Sequence, residues 1–328
     1  MSTTRIITIV CWIISALALT GLLVWIVLGI VFGGWFGEGG NFPFGINFGT
    51  SIERLSGPFN LDDTYSVQAD GIDSIRIDWT AGEVVIRPHD SDDIIINEYA
   101  QRELRDNERL SYSVSGNTLE INFVERGISF RRMPAKLVEV FVPYELSDSL
   151  NLLSVSTVSA DVNITNMTAS TLRSNTTSGA IDAAGVFDVA NLDTVSGSID
   201  LSGEVSRADL DTVSGRITMT GSAPGAQVNS SSVSGRMDLR GDFTSVVVET
   251  VSGSMDVTST MTPSTLNASS VSGSVTITIP ADSQISVSHS AVSGSFSSDI
   301  PVTMERGASF NISTVSGSTR IHALGDSN

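Results

Sequence analysis

The sequence predicts an all-β fold, a parallel β-solenoid (parallel β-helix) of ~19-residue repeats, preceded by one N-terminal transmembrane helix. Three observations predict it. The N-terminus is an uncharged apolar run, a Val-Ser-Gly tripeptide recurs through the second half, and apolar and polar residues alternate in short stretches from about residue 66 onward.

Composition narrows the function classes first. At 328 residues and 41% hydrophobic content the chain folds rather than remaining disordered. Acidic residues number 36 against 18 basic, a net charge of −18, which disfavours nucleic acid as a partner. One cysteine excludes an internal disulfide framework and multi-cysteine metal sites, and three isolated histidines (His89, His289, His322) offer little for acid/base chemistry. No cofactor is expected.

Residues 1–5 form a short cytoplasmic N-terminus and residues 6–32 a transmembrane helix. No charge occurs between Arg5 and Glu38. A helix over residues 6–32 would rise ~40 Å, more than the ~30 Å hydrocarbon core, so the lipid bilayer is the expected partner of this segment. A cleavable signal peptide is the alternative, since Ala16-Leu17-Ala18 has suitably small residues. The apolar run continues through Phe32, however, where a cleaved sequence would turn polar. Arg5 on the short side and no cation on the other side before Arg54 place the N-terminus in the cytoplasm and the C-terminal domain outside it, a single-pass arrangement in the cell membrane. Residues 33–65, with Trp35, Phe36, Phe42, Phe44 and Phe48 among glycines, read as an interfacial aromatic belt and a flexible juxtamembrane tether.

Residues 66–150 read as an N-terminal cap region of β-strands. Alternation marks residues 74–78, 83–87, 94–99, 110–114, 118–123 and 137–142, with a hairpin turn at Ser115-Gly116-Asn117. Between Tyr99 and Arg109 the chain is charged and lacks β-branched residues, so it reads as an exposed loop or short helix.

Residues 151–322 carry the repeats, and residues 323–328 read as a disordered tail. The repeat residues are Val195 and Gly197, Val213 and Gly215, Val233 and Gly235, Val251 and Gly253, Val271 and Gly273, Val292 and Gly294, and Val315 and Gly317. Weaker copies stand at Val158-Ser159-Ala160 and Thr177-Ser178-Gly179, and the spacing of the third residue runs 19, 18, 18, 20, 18, 20, 21 and 23. Such a unit cannot bury its own apolar side, but stacked copies can, each covering the last. After each glycine, residues such as Ile199 and Leu201 or Ile217 and Met219 alternate with polar ones. The repeat valine shares their parity but not that of the preceding leucines, so it is expected to face inward, with a bend just before it. At ~4.8 Å per coil, nine repeats make a rod of roughly 40 Å.

The strand Leu137-Val138-Glu139-Val140-Phe141-Val142-Pro143, followed by tandem Ser-Gly-x-Ile-Asp units, resembles the bacterial "putative adhesin" family of domain of unknown function 4097 (DUF4097). Asp78-Trp79-Thr80-Ala81-Gly82-Glu83-Val84-Val85-Ile86 is similar to that family's opening glycine-centred strand pair. The resemblance covers roughly residues 66–322. It implies a parallel β-helix-like fold, an envelope location, sometimes alongside envelope-stress systems, and no active site to carry over.

The residues themselves supply no catalytic constellation. Asp182, Asp200, Asp238 and Asp256 share one repeat position, with Arg216 and Arg236 two residues before that slot. They would form a solvated polar ladder or, alternatively, a weak Ca²⁺ site. Lys136 is the only lysine, and no Gly-x-Ser-x-Gly elbow surrounds any serine. Arg102, Arg105, Arg109, Arg126, Arg131, Arg132 and Lys136 gather in the cap region, interleaved with acids as on a salt-bridged solvated surface. Six Asn-x-Ser/Thr sequons, at Asn163, Asn166, Asn175, Asn229, Asn267 and Asn311, are incidental in so serine- and threonine-rich a chain. The expectation is a non-enzymatic, adhesin-like envelope interaction module, binding wall polymer, another envelope protein or a second copy of itself. The alternative is an envelope carbohydrate-active enzyme on the same scaffold.

Overall fold

Alternating side chains need a neighbouring strand on each side to satisfy the backbone between them, and the chain supplies those neighbours coil by coil. The computed structural model describes residues 52–53, 58–123, 133–303 and 307–325. The transmembrane helix expected over residues 6–32 and most of the expected tether lie outside the described residues. Among the described residues, no helix is long and apolar enough to cross a membrane.

The described chain is all-β. Its central part is a solenoid-like stack in which each repeat contributes two strands to two parallel ladders. The first ladder aligns Val162, Ile181, Ile199, Ile217, Met237, Met255 and Val275 in successive coils. The second aligns Leu172, Ala190, Ala208, Val228, Val246 and Leu266. All thirteen side chains are buried, so the core is a column of stacked aliphatic layers between the ladders.

The coils do not stack throughout in chain order, as the sequence reading expected. The strand Thr265–Ser272 pairs with Ala308–Ser316, which in turn pairs with Ile285–Ser293. The companion strands repeat the pattern, with Val275–Pro280 against Thr319–Leu324 and that strand against Phe296–Ser298. The last coil of the sequence therefore slots between two earlier ones. The other end is built alike. Ser74–His89 lies between Leu150–Thr176 on one side and both Thr118–Asn122 and Lys136–Pro143 on the other, although it precedes them all. Identical edge geometry at each level makes such an exchange possible, because a parallel edge accepts any strand of matching pattern.

Antiparallel strands close the N-terminal end: Asp93–Ala100 pairs with Lys136–Pro143, Asn60–Gln68 with Asp93–Ala100, and Ser111–Ser115 with Thr118–Asn122. Strand structure thus begins at Ile52–Glu53, which pairs in parallel with Met133–Pro134, and continues at Asn60–Gln68, both starting inside the expected tether, and Ser74–His89 belongs to the stack rather than to a separate cap. At the far end, strand continues to Leu324, into the expected tail. The charged stretch before Arg109 contains a single 3-10 turn, Asp106–Glu108.

The repeat valines do not enter the core. The parity of Leu192 continues through buried Thr194, so Val195 turns outward, and the chain bends after it, at Ser196-Gly197, before Ile199 re-enters. The physical reason is the glycine. A Cβ built on Gly197 would sit 1.9 Å from the carbonyl oxygen of Gly179, and Gly215, Gly235, Gly253, Gly273, Gly317 and Gly294 meet the adjacent coil as tightly. The tripeptide marks a corner at which successive backbones touch, and only a residue without a side chain fits there.

Candidate functional site

The outer surface is assembled from the same registers. Facing out beside each corner run half-buried side chains: Val158, Thr177, Val195, Val213, Val233, Val251, Val271 and Val315, ending at Val292, which is 48% exposed on the last coil. Backbone bonds link this column coil to coil, with the amides of Ser178, Ser196 and Ser214 donating to the carbonyls of Val158, Thr177 and Val195 at 3.0, 3.1 and 2.9 Å. Beside the valines stands a column of exposed serines, with Ser214, Ser234, Ser252, Ser272, Ser316 and Ser293 paired in that spatial order. The result is a straight apolar stripe edged with hydroxyls along the stack.

Sequence reasoning missed a third column. Thr157, Thr176, Thr194, Thr212, Ser232, Thr250, Ser270 and Thr314 are buried behind the valines. The Thr157 hydroxyl donates to Ala160 O (2.9 Å) and lies 2.7 Å from Thr176 Oγ1, which accepts from the Gly179 amide at 3.0 Å. The signal was present in the chain, where a Ser or Thr stands three residues before nearly every repeat glycine. Thr157, Thr176 and Thr194 hydrogen-bond the corner from inside, whereas the buried hydroxyls of Thr212, Ser232, Thr250, Ser270 and Thr314 have no hydrogen-bond partner among the described residues.

Two acidic columns flank the stripe. On one side Asn175, Asp193, Asp211, Ser231 and Glu249 share a register. Burial, then the charges of Asp211 and Asp209, push the Asp193 carboxyl up to about 7. Asp211 is also raised by burial, against a hydrogen bond from the Ser231 hydroxyl. On the other side, Asp182 lies against Asp200 and Asp238 against Asp256, with Thr218 separating the pairs. Arg240 forms a fork on Asp238 at 2.9 and 3.0 Å, and Arg236 reaches Asp256 at 2.9 Å. The four aspartates are thus two pairs, one occupied by arginines. Among the described residues no group of three His, Cys, Asp or Glu side chains could hold a metal ion.

At the opposite bend an open groove of about 420 Å³ crosses three coils, lined by Asn166, Met167, Gly185, Val186, Gly203 and Glu204. Glu204 is the one ionisable side chain in that lining, beside the Asn166 amide and the Thr168 and Ser202 hydroxyls, so the groove holds no pair of titratable groups for acid/base work. The cap-region cations also divide. Arg102 forks onto Glu108 at 2.7 and 2.9 Å and Arg109 reaches Asp62 at 3.3 Å, whereas Lys136 leaves the expected surface cluster altogether and is fully buried. Arg126, Arg131 and Arg132 lie outside the described residues.

With this geometry in hand, known proteins can be set beside it. The family model described as Toastrack DUF4097 matches residues 72–323. Among solved structures, a "putative adhesin" from Parabacteroides distasonis ATCC 8503 superposes with a TM-score of 0.50 at 12% identity, over 81% of this chain and 98% of its own. A "putative lipid binding protein" from the same strain gives 0.51 at 14%, over 79% and 96%. At such identities the likeness is one of fold. No curated protein matches the chain. Since the matched span takes in both out-of-order ends as well as the repeats between them, this chain belongs to the Toastrack DUF4097 family.

Proposed function

We propose that the protein is a single-pass membrane protein of the cell envelope whose solenoid stands outside the cytoplasm and acts as a non-enzymatic, adhesin-like interaction module. Residues 6–32 supply the anchor, the part of the expected tether before residue 52 the link, and the stacked coils a parallel β-helix. The observation that carries this reading is the outward valine and serine stripe, which repeats one contact set at every coil. A repetitive ligand such as a wall polymer engages several coils at once and converts weak contacts into avidity. That structural neighbours are named for adhesion and lipid binding rather than for turnover accords with it.

The test is co-sedimentation of the region after residue 57 with purified wall fragments and polysaccharides, with Ca²⁺ and with chelator. Binding without release of reducing ends or unsaturated sugars is expected. A triple variant, Val213→Glu, Val233→Glu and Val251→Glu, should lose binding while folding normally, because each valine lies outside the core and is partly solvent-exposed. Catalytic release of fragments that disappears with Asp200→Asn or Asp238→Asn would replace this reading with the carbohydrate-active one.

A further inference from the structure

The chain contains 18 basic residues and a single lysine, and among the described residues that lysine is the basic side chain wholly removed from water. Lys136 Nζ lies 2.6 Å from Glu98 Oε1, and both side chains have zero exposure. The nitrogen also donates to the backbone carbonyls of Glu108, at 2.8 Å, and Phe123. Its centre lies 4.1 Å from the Phe123 ring and 5.0 Å from the Trp79 ring, and these rings pack edge to face. Trp79 Nε1 in turn donates to the Lys136 carbonyl at 3.0 Å. The Leu110 amide donates to both Glu98 oxygens, at 3.0 and 3.1 Å. Glu98 and Lys136 stand on antiparallel neighbours, with Glu98 opposite Val138 and Ala100 opposite Lys136.

We propose that this pair is a site of covalent self-modification, in which Lys136 Nζ and Glu98 Cδ condense to an intramolecular amide. A proton first passes from the ammonium to the carboxylate, giving an amine and a carboxylic acid. The amine attacks Cδ, so that the Nζ–Cδ bond forms. A second nitrogen proton moves to the departing oxygen, the Cδ–Oε bond breaks and water leaves, with one hydrogen remaining on the amide nitrogen. Nothing is oxidised or reduced, and no co-reactant is needed.

Each contact has a part in that step. Burial raises the Glu98 carboxyl above the usual carboxylate range and lowers the Lys136 ammonium, both of which favour the neutral pair. The carbonyls of Glu108 and Phe123 hold the nitrogen against Cδ, replacing a bimolecular encounter with a fixed one. The Leu110 amide is placed to stabilise the negative oxygen of the tetrahedral intermediate. Trp79 and Phe123 exclude the water that would reverse the reaction. An arginine could pair with Glu98 but is a poor nucleophile, which accounts for a lysine at this position in a chain that otherwise uses arginine. The bond would join the antiparallel cap to the stack, and it stands independently of the envelope reading above.

Peptide mapping of the full chain, purified in detergent and digested with trypsin under denaturing conditions, decides the matter. The expected product is a branched peptide joining residues 77–102 to residues 133–173, lighter by one water than the sum of the two, with no cleavage after Lys136. Lys136→Arg and Glu98→Ala should each return linear peptides. Recovery of residues 77–102 and a peptide ending at Lys136 as separate linear species from the folded wild-type protein would overturn the proposal, whether or not either variant folds.

Discussion

Asp193 shows how a single side chain in a stacked register acquires a property its sequence neighbours do not announce. Its strand neighbours in space are Asn175 on one coil and Asp211 on the next, so a carboxylate meets a carboxylate across one ladder step. Burial and those charges hold its proton up to about pH 7, whereas in the unfolded chain it dissociates near 3.8. Between these values the folded state binds the proton and the unfolded state does not, so this residue's contribution to stability is lost as pH rises from about 4 to about 7. The thermal midpoint of the region after residue 57 should fall through that window. Asp193→Asn, which extends the amide already present at Asn175, should flatten the slope and raise the midpoint at pH 8. Equal pH profiles for the two proteins would show that Asp193 titrates normally.

At the scale of elements, the out-of-order coil makes a prediction that a sequential stack would not. Ile285–Ser293 finds its ladder partner in Ala308–Ser316, and Phe296–Ser298 finds its partner in Thr319–Leu324. Truncation after residue 303 therefore removes the support of a coil that precedes the cut. Hydrogen exchange over residues 285–298 should rise to near that of a loop, while the coils before residue 260 keep their protection. Retained protection over 285–298 would mean that this coil docks directly on Thr265–Ser272. The arrangement also explains the last coil's open appearance: among the described residues its outer edge has no full strand beyond it, and Val292, Phe296 and Val302 remain exposed.

For the whole molecule, the consequence is orientation. The described chain begins at Ile52–Glu53, paired with Met133–Pro134, and continues into Asn60–Gln68 at the antiparallel end, so the proposed tether, attached there, would leave the glycine-cornered coils projecting away. With the anchor proposed at residues 6–32, protease added to intact, wall-stripped cells should digest the region after residue 38 and leave an N-terminal cytoplasmic tag protected. A soluble form beginning near Leu19 would instead identify the segment as a cleaved signal peptide.

The strand content, the repeat and its period could be read from the chain, because period-two alternation and an insistent glycine each reflect a local constraint that every copy must satisfy. Ile199, Leu201 and their counterparts were placed inward correctly for that reason. The valines were placed on the wrong side because parity cannot say where a bend falls. That depended on the contact between Gly197 and the Gly179 carbonyl, eighteen residues away in sequence. Coil order was hidden for a related reason: every level offers the same parallel edge, so pattern alone ranks no partner above another. Lys136 was misread as a surface cation because its environment is built by Glu98, Phe123 and Trp79, drawn from three separate strands or strand ends. Local periodicity reports the repeating unit; which units touch, and what they enclose, depends on contacts between residues far apart in the chain.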